Sequence, residues 1–237
     1  MKILTLNGSL RARSSNGAVL RSALALTDAT SAAADISALP HFDPDLDTEG
    51  ATPPAPVAAL RRAAVDADAL LAVSPEYAHG VPGVLKNALD WLVSSAEFLG
   101  KPAAVLTASP SPAGAAHAHG QLCEILRMMS ADVIPDACRD LAAIGPKTDP
   151  ATGTVTDPAT LQTLRTAMRA LTTAATAVTT AAAVTVTAEA TTDATTDAAD
   201  TTITTDATVT ATTPTTPTTP GNPATPTPHS PQPAHTP

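Results

Sequence analysis

Nine consecutive residues near the N-terminus, Gly8 to Asn16, carry the densest set of anion-gripping groups in the chain. Ser9, Ser14, Ser15 and Asn16 offer side-chain donors, and Arg11 adds a planar, permanently positive fork. The stretch leaves an apolar run, Lys2–Leu6, and enters a helical pattern marked by Ala18, Leu20, Leu24 and Leu26. Free N–H groups and the positive end of that helix would favour a phosphate. The spacing is neither G-x-G-x-x-G nor G-x-x-x-x-G-K-[ST], which argues against a dinucleotide fingerprint and against a nucleotide triphosphatase. A second candidate stretch is Ser74 to Trp91, which holds the chain's single tyrosine and single tryptophan and turns through Pro75, Gly80 and Pro82 into another helix. His117 and His119 invite a metal test. A catalytic zinc needs three protein ligands, and no cysteine or acid pair lies near them, so a solvated helix start is the expectation and no metal site is proposed. No Ser-His-Asp or Cys-His constellation can be located, and a hydrolase is not inferred.

These residues need a frame. Apolar runs predict strands at Lys2–Leu6, Asp35–Leu39, Ala69–Ser74, Ala103–Ala108 and Asp132–Ile134. Helical spacing lies between them, at Val57, Leu60 and Ala64, at Val84, Leu85, Ala88 and Leu89, and at Leu122, Ile125, Leu126 and Met129. A fifth stretch, marked by Leu161, Leu164, Met168 and Leu171, follows the last run. Near-continuous apolar strands fit a parallel sheet covered on both faces. Five βα units of this size predict an α/β, three-layer, doubly wound sandwich with a five-stranded sheet in the order 2-1-3-4-5. Ligands bind such sheets outside the carboxyl ends of the strands, where three loops should meet: Gly8–Asn16, Pro75–Gly80 and Ser109–Gly114.

Composition divides the 237 residues in two. Residues 1–171 suit one domain, and all 13 Lys and Arg lie in it. Residues 172–237 are almost only Ala, Thr, Pro, Val and Asp, and are expected to be a disordered tail. The tail's acids account for five of the net −9 charges, so the domain is only mildly acidic. It offers no basic patch for nucleic acid. No apolar run reaches the ~18 residues of a membrane span, and no signal peptide is read, so a cytoplasmic protein is expected. Cys123 and Cys138 form no CxxC pair and are expected to be free thiols.

Two motifs resemble the NADPH-dependent FMN reductase family, flavodoxin-like proteins that include quinone, azo and chromate reductases. The G-S-x-R-x-x-S-x-N pattern fits Gly8, Ser9, Arg11, Ser14 and Asn16 without a gap. P-E-Y fits Pro75-Glu76-Tyr77, and P-G-x-L-K-N-A-x-D-W fits Pro82 to Trp91. The resemblance implies that Ser9, Arg11, Ser14 and Asn16 hold an FMN phosphate, with Ser15 adding its backbone N–H. It places the flavin ring against Pro75, Glu76, Tyr77, Ala78, His79 and Gly80, with Ser109 as a further contact. Backbone N–H groups of Glu76–Gly80 would meet the charge that reduced flavin gathers on its pyrimidine side. Tyr77 either lines the flavin or is a half-buried structural residue.

The chain departs from the family pattern in two places. Ala78 replaces the usual Asn, and His79 either supplies the missing hydrogen bond or faces solvent. The loop at Ser109–Gly114 carries two prolines where glycine is common, which stiffens the nicotinamide and substrate pocket. Lys86 and Asp90 should pair at four residues' spacing. Trp91 is read as a packing residue that, by resemblance, lies near a homodimer or homotetramer interface.

The activity implied is an FMN-dependent NAD(P)H oxidoreductase: a hydride passes from NADPH or NADH to FMN and on to a quinone, free flavin, azo compound or similar acceptor. The cofactor brings the chemistry, so no dedicated general base is needed. Two rivals stand beside it. One is a flavodoxin-like electron carrier without NAD(P)H turnover, although such carriers are more acidic and sandwich the ring between aromatics. The other is an interaction protein working through its tail, which only the tail's length supports.

Overall fold

A computed structural model describes the backbone of residues 1–196 and the side chains of residues 1–181. The chain alternates strand and helix: β1 (Lys2–Asn7), α1 (Ser15–Leu24), β2 (Thr30–Ala33), α2 (Ala55–Val65), β3 (Ala69–Ser74), α3 (Gly83–Asp90), β4 (Pro102–Ala108), α4 (Ala116–Met128), β5 (Asp132–Val133) and β6 (Arg139–Leu141). A hairpin of β7 (Thr148–Asp149) and β8 (Thr154–Val155) follows, and then α5 (Pro158–Thr196). The main sheet is parallel in the order β2-β1-β3-β4-β5, with β6 also on β4. This is the expected flavodoxin-like sandwich.

Every residue of β3 and β4 is buried, because helices cover both faces of the sheet. One face packs Leu60 and Ala64 of α2, Leu85 and Leu89 of α3, and Leu122 and Leu126 of α4 against Leu4, Leu6, Leu70 and Val105. The opposite face packs Val19 and Ala23 of α1 and Leu164, Met168 and Leu171 of α5 against Ile3, Leu71, Val73 and Leu106.

Three local differences from expectation have physical causes. The second strand is Thr30–Ala33 rather than Asp35–Leu39. Asp35 accepts from Ser37 N at 3.0 Å and from Ser37 Oγ at 2.6 Å, which winds Ile36–Ala38 into a 3₁₀ turn. The true strand is a largely exposed edge and carries no apolar run to betray it. The fifth strand is split. It opens as β5, breaks at Pro135 into a 3₁₀ turn, and resumes along β4 as β6, so Leu106 opposes Arg139. The β7–β8 hairpin, two residues to a strand, is too short to leave an apolar pattern in the sequence; Asp149 Oδ1 folds its turn by accepting from Ala151 N at 2.8 Å.

The chain beyond Leu171 also departs from the expected disorder as far as Thr196, since α5 runs on to that residue. The helix starts on an Asp157 cap, whose carboxylate accepts from Thr160 N and Thr160 Oγ1 at 2.8 and 2.6 Å. Alanine continues it at low cost, and the threonines return their hydroxyls to the preceding turn: Thr176 to Thr172 O at 2.9 Å and Thr180 to Thr176 O at 2.8 Å. Ala175, buried against the core, extends the docked stripe past Leu171, and growth from a docked helix avoids the nucleation cost. The expectation for residues 197–237 lies outside the described residues.

Two tethers hold the side of the sheet that carries α2 and α3. Trp91 is fully buried, donates its Nε1–H to Pro40 O at 3.0 Å and meets Phe42 edge-on at 5.1 Å, which is the packing role expected of it. Lys101, just before β4, sends its ammonium to the carbonyls of Ala64 (2.6 Å) and Ala67 and so closes the C-terminal end of α2. Burial holds the Lys101 pKa below the usual lysine value. Lys86 and Asp90 form the expected surface pair.

Candidate active site

The β1–α1 loop begins with a close approach. Gly8 N donates to Val73 O at 2.8 Å, and a Cβ on Gly8 would stand 3.1 Å from Leu85 and 3.2 Å from Ser74 Oγ. The loop is thereby pressed onto the end of β3. Ser14 then caps α1, its Oγ accepting from Asn16 N at 3.1 Å and Gly17 N at 3.4 Å. No acid occupies the first turn of α1, so its positive end is uncompensated. Among the described residues, Arg11 makes no ion pair, and neither Ser9 Oγ nor Ser15 Oγ makes a hydrogen bond. These three are uncommitted donors at one helix start.

Asn16 is turned inward. Its Nδ2 donates to Ala108 O at the end of β4 at 3.0 Å, which fixes the orientation of the amide. Its Oδ1 is the one buried side-chain polar atom among the described residues that lacks a partner. Such an acceptor calls for a donor from outside the chain.

The β3–α3 loop forms a tight turn. Tyr77 and Gly80 exchange backbone hydrogen bonds of 3.1 and 3.0 Å, while Ala78 and His79 both take positive φ, 49° and 57°. Two left-handed residues between such a pair make a type I′ turn, a conformation that Asn and Gly adopt more easily than Ala or His. Gln121 of α4 clamps it, donating from Nε2 to His79 O at 3.2 Å and accepting from Val81 N at Oε1 at 3.4 Å. The N–H groups of Ala78 and His79 remain without a partner among the described residues. Tyr77 is 53% exposed. Pro75 is buried at the root of the turn, where its carbonyl accepts from Ser74 Oγ at 2.8 Å.

Glu76 does something the sequence did not suggest. Its carboxylate accepts from Ala118 N at 2.9 Å, and Asp140 of β6 accepts from Ala115 N at 2.9 and 3.0 Å. The start of α4 has no local cap because residue 115 is alanine, and two distant carboxylates take that place. The positive end of α4 is therefore already answered, in contrast to that of α1. Gly114, at φ +76°, lets the chain pass Asp140; a Cβ there would lie 2.3 Å from Oδ2. Ser109 Oγ accepts from Ser111 N at 3.1 Å and folds the start of this loop.

The two histidines of α4 part company. His119 points inward, its Nδ1 3.1 Å from Thr107 Oγ1, whose hydroxyl donates to Asp140 at 3.0 Å. That donation leaves the Thr107 oxygen to accept, so His119 carries its proton on Nδ1. Burial lowers the His119 pKa; Asp140 opposes this and Arg139 adds to it. His117 points outward and stacks on His79, with centroids 4.4 Å apart and planes 18° from parallel. Among the described residues no cluster of three metal-ligating groups exists; His117 is exposed at the start of α4, while His119 is turned in and hydrogen-bonded. Thr107, Asp140 and Gln121 carry no local signal in the sequence, because their partners lie 12 to 42 residues away in the chain.

Two hollows border these loops. One, of about 350 Å³, is lined by Glu76, Ala78, His79, Ser109, Ser111 and His117 among others. The other, of about 380 Å³, lies beside Arg13, Ser14 and Ser15 and is walled by the β7–β8 turn. The first joins the Pro75–Gly80 and Ser109–Gly114 loops, and the Gly8–Val73 bond brings the third loop to the end of β3.

A flavodoxin-like sheet with an anion-ready loop after β1 and a clamped turn after β3 defines a class of flavin-binding oxidoreductase. The profile of the NADPH-dependent FMN reductase family matches residues 1–142, and the chain belongs to that family. It is 37% identical over 169 residues to a quinone reductase of Escherichia coli (strain K12), covering 69% of this chain and 89% of that protein. It is 42% identical over 130 residues to an NAD(P)H-dependent FMN reductase of Pseudomonas aeruginosa, covering 53% of this chain and 69% of the other. The solved structure of the flavoenzyme NAD(P)H:(acceptor) oxidoreductase FerB from Paracoccus denitrificans superposes with a TM-score of 0.63 at 30% identity, over 73% of this chain and 96% of that one. The chain is an NAD(P)H-dependent oxidoreductase that uses FMN.

Proposed function

We propose that the enzyme passes reducing equivalents from NADPH or NADH through FMN to a quinone-type acceptor, with free flavin and azo compounds as further acceptors. The observation that supports this reading is a pair of uncommitted donor sets in the loops that follow two neighbouring strands. Ser9, Arg11 and Ser15 stand uncommitted at the start of α1, and the Ala78 and His79 N–H groups stand uncommitted after β3. The residues present fit FMN. The Arg11 guanidinium and the α1 N-terminus suit a dianionic phosphate, with Ser9, Ser14 and Ser15 donating to it.

Asn16 suits a different part of the cofactor. Its unpartnered Oδ1 needs a donor, which a phosphate dianion lacks and a ribityl hydroxyl supplies. The flavin, when bound, accepts a hydride and passes it on. The Ala78 and His79 N–H groups would face the negative charge of the reduced pyrimidine, while Pro75, Tyr77, Gly80 and Ser109 shape the surface around it. Glu76 acts at one remove, holding α4 against the turn.

We further propose that residues 1–171 carry the catalytic site, that the protein is cytoplasmic, and that it works as a homodimer or homotetramer with no nucleic-acid partner. No helix among the described residues is long and apolar enough to cross a membrane. The test is the visible spectrum of the purified protein, repeated without oxygen after adding NADPH and a small quinone. Flavin bands that bleach with NADPH and return with the quinone are the expected outcome. Bands that neither NADPH nor NADH bleaches would refute the reductase reading and leave an electron carrier. Arg11→Ala should weaken FMN retention by about 10- to 100-fold, the worth of one charge-assisted hydrogen bond; unchanged affinity would overturn the phosphate assignment.

A further inference from the structure

We propose that the stacked pair His79 and His117 is the proton donor to the reduced acceptor, an inference that rests on the quinone-reductase reading above. Both rings border the hollow between the Pro75–Gly80 and Ser109–Gly114 loops. They come from different elements, the type I′ turn and the start of α4, and the Gln121 clamp to His79 O and Val81 N fixes one element on the other. His79 stands at φ +57°, the left-handed conformation that the second central residue of the turn requires.

The chemistry of the acceptor asks for such a pair. Hydride transfer gives a quinone two electrons and one proton, and the product is a hydroquinone monoanion. One further proton completes the neutral hydroquinone. An imidazolium of the pair releases that proton to the oxyanion and becomes neutral imidazole, and solvent at exposed His117 restores it.

Of the ionisable groups around it, Tyr77 on the turn is exposed and its hydroxyl makes no hydrogen bond among the described residues, and the others are engaged. Glu76 on the turn is bonded to Ala118 N. On α4, His119 is bonded to Thr107. Asp140 on β6 is bonded to Ala115 N and Thr107, and the Ser109–Gly114 loop carries no ionisable side chain.

One measurement tests the proposal. In stopped flow, NADPH-reduced enzyme is mixed either with a benzoquinone or with ferricyanide, which takes electrons without a proton. The ratio of quinone to ferricyanide rates should fall about 100-fold in His117→Gln and in the double variant His79→Asn, His117→Gln, with partial rescue by imidazole in the quinone arm. A ratio unchanged in the double variant would overturn the proposal. Failure of the reductase reading itself shows earlier, as a flavin that NADPH or NADH does not reduce.

Discussion

Replacing Gly114 with alanine tests the contact that holds the third loop in place. Two costs combine. At φ +76° an L-residue carries roughly 1–2 kcal/mol of left-handed strain. The new Cβ would also lie 2.3 Å from Asp140 Oδ2, and 3.0 Å from its Cγ, so the carboxylate must move. That carboxylate accepts one N–H from Ala115, shared between its two oxygens, and one hydroxyl from Thr107. Charge-assisted bonds are worth about 1.5–3 kcal/mol when shielded, and the exposure of Asp140 places the loss at the low end. The expected destabilisation is about 2–4 kcal/mol. With a urea slope of about 2 kcal/mol per molar, the midpoint drops by roughly 1–2 M. The two costs separate in a double-mutant cycle: in an Asp140→Ala background the clash is gone, and Gly114→Ala should cost only the strain. A loss below about 1 kcal/mol, or the same loss in both backgrounds, would refute the reasoning.

Ala78→Asn should stabilise the protein by about 0.5–1 kcal/mol, since Asn tolerates the left-handed centre of a type I′ turn; a thermal melt that falls instead would rule out the turn. Because burial lowers the His119 pKa, the folded state binds fewer protons than the unfolded state just below pH 6.5. Stability should therefore fall as pH drops from about 6.5 towards the lowered native value, and His119→Gln should flatten that limb in urea titrations. The neighbouring Cys123 thiol lowers the Cys138 pKa while that of Cys123 is raised, so iodoacetamide near neutral pH should label Cys138 first by mass spectrometry. Asn87→Ala removes the bonds that tie Pro40 O and Phe42 N to α3, at 2.9 and 2.8 Å, and should cost about 1–3 kcal/mol in chemical denaturation.

What could be read from the sequence divides along physical lines. The strands β1, β3 and β4 are legible because helices on both faces force continuous apolar runs. The edge strand at Thr30–Ala33 has one covered face at most and reads as polar chain, so the eye falls on the apolar Ile36–Leu39 instead. Pro135 hides the continuity of the fifth strand. Alanine and threonine look like filler when large apolar groups are counted, yet alanine is the strongest helix former, and α5 exploits that as far as Thr196. At the site, the Gly8–Asn16 loop is legible because its groups are contiguous. The inward turn of Asn16, the Glu76 bond to α4 and the Thr107–Asp140–His119 chain depend on which loops the sheet order brings together. The stacking of His79 on His117 depends on it too.

Lys101 carries a consequence for the order of folding. The last carbonyls of α2 are satisfied by an ammonium 37 residues further on, at the threshold of β4. On its own, a nascent α2 lacks that closure and should fray at its C-terminal turn. Its last turn should therefore settle only as β4 pairs beside β3, which would couple helix completion to strand pairing through one side-chain amine. Neutralising the amine with Lys101→Met should leave the early collapse untouched and slow the step in which β4 joins the sheet.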